Sequence, residues 1–192
     1  MTGDPTDTPP DGKRRRRRAT FAGFLLVLGL VSALLAYGLR HDPNAIASPL
    51  VGKRAPAFDL PLLAGPGRVT LAEWRGHPVL VNFWASWCTE CRREAPVLGA
   101  AWSTFRDRGL VLVGVDFQDD EAAALAFALD QGMSWPLVTD PGSKTALSYG
   151  VYGIPETYLV GADGTVAAKW AGPVPYDDLV ASIRRELRGP TS

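Results

Sequence analysis

Apolar positions along this chain follow three different spacings, and each spacing predicts a different kind of element. Ala19 to Leu39 is an unbroken apolar run without a charged residue. As a helix its 21 residues would extend about 31 Å, matching the roughly 30 Å hydrocarbon core of a bilayer. From Ala57 on, apolar residues come in short strand-like groups. Ala57–Leu62 and Val69–Leu71 flank Gly65-Pro66-Gly67 and predict a small hairpin. Val79, Leu80, Val81, Phe83 and Trp84 form a nearly continuous run, the composition of a strand covered on both faces. Leu110–Asp116 reads as a second buried strand and Trp135–Val138 as a short third one. Thr157–Val160 and Val166–Ala171 surround Ala162-Asp163-Gly164, a hairpin signal.

Helical spacing fills the intervals. From Cys88 onward Thr89, Glu90, Arg92, Arg93 and Glu94 alternate with Ala95, Val97 and Leu98, and Pro96 is expected to kink the helix they form. Glu121–Gln131 has strongly helix-forming content, with Asp119 and Asp120 as its expected caps. Ser143–Tyr149 predicts a short helix, and Asp177–Arg188 an amphipathic one that closes the chain. Strand–helix–strand units followed by a hairpin and a helix define an α/β class, with a mixed sheet covered by helices on both faces. The expected organisation is a tail at 1–18, a transmembrane anchor at 19–39, a linker at 40–49 and one globular domain at 50–192.

Charge gives the apolar run a direction. Formal net charge is zero over 192 residues, but Lys13 and Arg14 to Arg18 stand directly before the run. Only Arg40 and His41 follow it, so the positive-inside bias keeps a disordered tail cytoplasmic and places the domain outside. A cleaved signal peptide is the competing reading, with Ala45-Ile46-Ala47 as its small-residue site. The length of the run and its distance from Ala47 favour a retained signal-anchor. The segment from Ser48 on carries 13 basic and 16 acidic residues, without a basic stripe interleaved with aromatics, which argues against nucleic acid as a partner.

Both cysteines, Cys88 and Cys91, lie where the central strand hands over to a helix. Unpaired N–H groups at a helix start favour thiolate over thiol, which makes Cys88 the expected nucleophile. Cys91, one turn on, is placed to close an intramolecular disulfide and release a substrate. A structural zinc site needs four ligands, and His41 and His77 are the only histidines. An inert structural bridge across so short a loop would stabilise little, and two buried free thiols fit poorly with Thr89 and Glu90 between them. A dithiol redox couple is the favoured chemistry.

NFWASWCTEC, followed some sixty residues later by GIPET, a hairpin and a last helix, resembles the thioredoxin-like fold. AFDLPLLAG and TLAEWRGHPVLVNFWASWC resemble its membrane-anchored TlpA, ResA and CcmG/DsbE subgroup, and GVYGIPETYLV resembles CcmG/DsbE in particular. The resemblance covers about Leu50 to Leu187. It implies an extracytoplasmic thiol-disulfide reductase acting on oxidised protein thiols, namely apocytochrome c haem-attachment cysteines, with electrons from a membrane donor of the CcdA/DsbD kind. No cofactor is implied. Carried over by position, Cys88 attacks, Cys91 resolves, and Pro155 is a cis-proline facing them. Ile154 pairs with an extended substrate, Trp87 lines the surface beside Cys88, and Trp84 belongs to the core.

Two departures from the family pattern bear on the proton. Thr89 and Glu90 stand between the cysteines without the usual proline, and Glu90 adds negative charge beside the site. Asn82 occupies the place of the buried aspartate of cytosolic thioredoxins, which leaves Glu156 or Glu90 to handle the proton of Cys91. A general TlpA/ResA-type reductase, an oxidase and a redox-silent scaffold remain alternatives. A thiol peroxidase fits less well, because a second cysteine three residues on suits disulfide exchange.

Overall fold

The computed structural model describes residues 21, 23–34 and 48–188 of a chain that divides into two compact units, 1–45 and 46–192. In the first unit residues 21 and 23–34 are helical (α1) and expose Phe21, Phe24 and Leu26 among other apolar side chains. Among the described residues no helix is long and apolar enough to cross a membrane. The tail at 1–18, both ends of the apolar run, and residues 40–47 with Ala45-Ile46-Ala47 lie outside the described residues.

The second unit is built on a five-stranded sheet. Its strands are β3 (Val79–Trp84), β4 (Val111–Asp116), β5 (Leu137–Thr139), β6 (Glu156–Val160) and β7 (Val166–Ala171), in the order β5-β4-β3-β6-β7. β3 is central and every one of its residues is buried, as a continuous apolar run requires. It runs parallel to β4, with Val79 opposite Val111, and antiparallel to β6, with Phe83 opposite Glu156. The sheet is therefore mixed. The predicted N-terminal hairpin forms as β1 (Asp59–Pro61) and β2 (Arg68–Thr70) in a separate antiparallel pair.

Period-two alternation assigns the strand residues to two cores. Leu80, Leu112 and Leu159 meet α2 (Thr89–Phe105) and α5 (Tyr176–Leu187) through Leu98, Phe105, Leu179 and Ile183. Trp84, on the same face of β3 as Leu80, packs with α3 (Glu121–Asp130) through Phe127, the two rings stacking at 5.3 Å. On the other face Val81, Phe83, Val113 and Tyr158 pack against Tyr149 of α4 (Lys144–Tyr149) and Phe58, Leu60 and Val69 of the hairpin.

Pro96 lies inside α2, which continues to Phe105. Two local expectations shift. β5 begins at Leu137 and Trp135 precedes it, buried against Trp102. Only Asp120 caps α3, accepting from Ala123 N–H at 3.1 Å. Asp119 turns away to accept from the Ser86 N–H and hydroxyl, which ties the β4–α3 loop to the residues before Cys88.

Candidate active site

β3 ends at Trp84, and four residues later Cys88 becomes the N-cap of α2 in an extended conformation, φ −89° and ψ 108°. The cap position aims its sulfur at the helix's free N–H groups. Cys88 Sγ accepts from Cys91 N–H at 3.0 Å, the contact that stabilises negative charge on sulfur when the pair is reduced. The two cysteines form a disulfide with their Cα atoms 5.3 Å apart. Both are buried. The loop before them is pinned by Asp119 on Ser86 and by Trp87 Nε1–H, which donates to Gln118 O at 3.2 Å. Trp87 is 58% exposed and so presents an apolar face to solvent one residue before Cys88.

The loop leading into β6 reaches the same place. Its Ile154–Pro155 peptide is cis, and Ile154 packs against the cluster that contains Cys88 and Cys91. Glu156 follows and is buried. Its carboxylate accepts from Tyr152 N–H at 3.2 Å and from the Tyr158 hydroxyl at 2.9 Å, and pairs with Lys169 Nζ at 2.8 Å. The ammonium lies 4.7 Å from the Tyr152 ring centre and 5.2 Å from that of Tyr158. The charge of Glu156 is thus balanced in place, and the carboxylate ties the loop carrying Ile154 and Pro155 to β7. Glu90 sits on the exposed side of α2 and pairs with Arg93 at 2.9 Å.

The carboxyl group behind the dithiol is Glu94, which the sequence reading treated as an ordinary polar helix position. It is 1% exposed and lies one turn beyond Cys91 on the same buried face of α2. Asn82 Nδ2 donates to it at 2.8 Å, Val174 N–H at 3.1 Å and the Thr157 hydroxyl at 3.3 Å. Burial pushes its pKa up from 4.5 to about 7, against the lowering effect of hydrogen bonds from Val174, Asn82 and Thr157. A helical-face count from Cys91 would have found it, because Cys91, Glu94, Ala95 and Leu98 share one buried stripe.

A strand delivering a buried dithiol to a helix N-terminus, opposite a cis-proline loop, defines the thioredoxin-like class of dithiol oxidoreductases. Residues 51–169 match the AhpC/TSA family. The chain is 39% identical over 146 residues to the thiol:disulfide interchange protein DsbE of Pseudomonas fluorescens biotype C, covering 76% of this chain and 80% of that one. It is 37% identical over 171 residues to the thiol:disulfide interchange protein HelX of Rhodobacter capsulatus, covering 88% of this chain and 95% of that one. The solution structure of a thiol:disulfide interchange protein from Bacteroides sp. superposes with a TM-score of 0.65 at 29% identity, over 74% of this chain and 93% of that one. The chain belongs to the AhpC/TSA family and, within it, to the thiol:disulfide interchange proteins of the DsbE and HelX type.

Proposed function

We propose that this thiol-disulfide oxidoreductase works as a reductase outside the cytoplasm, held by residues 19–39 in the membrane, and that its substrates are oxidised haem-attachment cysteines of apocytochrome c. The observation that carries the direction of electron flow is Glu94, a buried carboxyl with a pKa of about 7 one turn from Cys91. In its ionised form it disfavours thiolate nearby and so makes the dithiol a better donor. Cys88 thiolate attacks one sulfur of the substrate disulfide, forming a mixed disulfide and releasing the other substrate sulfur as thiolate. Cys91 gives its proton to Glu94 and attacks Cys88 Sγ, so that the second substrate thiolate leaves. Two electrons pass to the substrate, and the chain ends with the Cys88–Cys91 disulfide. A membrane donor of the CcdA/DsbD kind would then return the pair to the dithiol.

The reading is tested by equilibrating the reduced chain with a disulfide-closed Cys-x-x-Cys-His peptide, the haem-attachment pattern. Reduced peptide should accumulate, Cys91→Ser should trap a mixed disulfide through Cys88, and Cys88→Ser should trap none. Net oxidation of the reduced peptide by the disulfide form would instead make the protein an oxidase. Protease added to cells stripped of outer layers should digest the domain and spare Met1 to Arg18; a released domain beginning near Ser48 would contradict the anchor.

A further inference from the structure

Where β4 and β5 end, the sheet opens into a cleft of about 710 Å3. Asp116, Asp119, Glu121 and Asp140 line it, and no cationic side chain among the described residues does. Lys144, close in sequence, lines a neighbouring cleft with Phe58 and Arg68. Two of the four acids are already engaged. Asp140 accepts from Thr145 N–H at 3.1 Å and Ala146 N–H at 2.8 Å, and Asp119 accepts from Ser86 and from Asp120 N–H.

Asp116 is different. It is 4% exposed and its Oδ1 has no hydrogen-bond partner, an arrangement that costs free energy and calls for a donor. Burial and the neighbouring Asp119 charge push its pKa from 3.8 to about 7, the response of paired carboxylates that lack a counter-cation. The side walls include Phe117, Leu147 and Val151, with Leu147 74% exposed. An acidic floor between apolar walls complements an alkyl stem with a cationic head. The cleft also adjoins the dithiol loop, because Gln118 and Asp119, which line it, are the residues that hold Trp87 and Ser86.

We propose that this cleft is a specificity subsite that takes a lysine or arginine side chain of the protein substrate while the substrate's disulfide lies across Cys88. It rests on disulfide exchange at Cys88 and not on which protein is the physiological substrate. The cleft forms no covalent bond; it holds the substrate and therefore acts on KM.

The test uses the reduced full chain and disulfide-closed peptides in which a single lysine, norleucine or glutamate is walked outward from the disulfide. At one position lysine should exceed norleucine in kcat/KM by about 10-fold, a charge-assisted hydrogen bond's worth, with the gain in KM and glutamate the poorest of the three. Each protein is read by its own lysine-to-norleucine ratio, which cancels any change in the dithiol. That ratio should fall toward one in Asp116→Asn and fall part of the way in Glu121→Gln, an exposed position whose change leaves the core alone. Equal turnover of lysine and norleucine peptides by the wild type at every position overturns the proposal, as does a ratio unchanged in both variants. Failure of the norleucine peptide itself to react would strike the exchange reading and this one with it.

Discussion

Replacing Glu94 by glutamine separates a buried acid that moves protons from one that merely fills space. In the folded chain its pKa rises from 4.5 to about 7, so between these values the folded state holds a proton that the unfolded chain has lost. Stability must then fall as pH rises through that window and stay low above it. At 1.36 kcal/mol per pH unit the whole fall is about 3 kcal/mol. Glutamine keeps a similar shape in the Asn82, Thr157 and Val174 network and has no proton to lose. Urea denaturation of the oxidised chain at pH 4 and pH 8 should therefore show the variant gaining about 3 kcal/mol relative to wild type at the higher pH. Asp116, also raised to about 7, contributes a fall of the same sign to both proteins and cancels in the difference. The same variant, deprived of an acceptor for the Cys91 proton, should release substrate from the mixed disulfide about 100-fold more slowly. A stability difference that is the same at both pH values, together with a wild-type rate of release, would refute the assignment.

Lys169→Met leaves Glu156 buried without its counter-charge and should cost about 3–5 kcal/mol in urea unfolding, whereas the Lys169→Met/Glu156→Gln double variant should recover most of it. Equal losses in the single and double variants would mean that packing, not charge, is at stake. Gly114→Ala places a methyl group 2.7 Å from Leu137 Cδ2 and 2.8 Å from Trp84 Nε1, and the overpacking should cost about 1–3 kcal/mol by the same assay. A variant as stable as wild type would show that Leu137 and Trp84 can move apart freely.

The two central strands were legible because the strongest apolar runs are those of strands buried on both faces. Val79–Trp84 and Val111–Asp116 carry the sheet's centre, and their composition leaves room for little else. The helix start at Cys88 was legible for a related reason: it stands where the apolar run of β3 gives way to helical spacing. Asp119 was misread because one aspartate looks like another in a capping position, and only the return of the chain past Ser86 distinguishes it from Asp120. Trp135 was read as the first residue of a strand, yet it packs against Trp102 just outside the ladder.

The carboxylates near the dithiol expose a deeper limit, because closeness to a motif in sequence says nothing of where a charge finds its partner. Glu90 stands between the two cysteines, yet its charge is spent on Arg93 at the surface. Glu156 follows the cis-proline directly, yet Lys169, two strand residues before the end of β7, neutralises it. Lys169 lies 13 residues away in the chain and opposite Tyr158 in the ladder, a register that only the folded hairpin defines. Glu94 has no cationic partner among the described residues, only Asn82, Thr157 and Val174. Neutral donors soften its burial without removing the pH dependence, and that is why its charge is left to follow the proton near neutral pH.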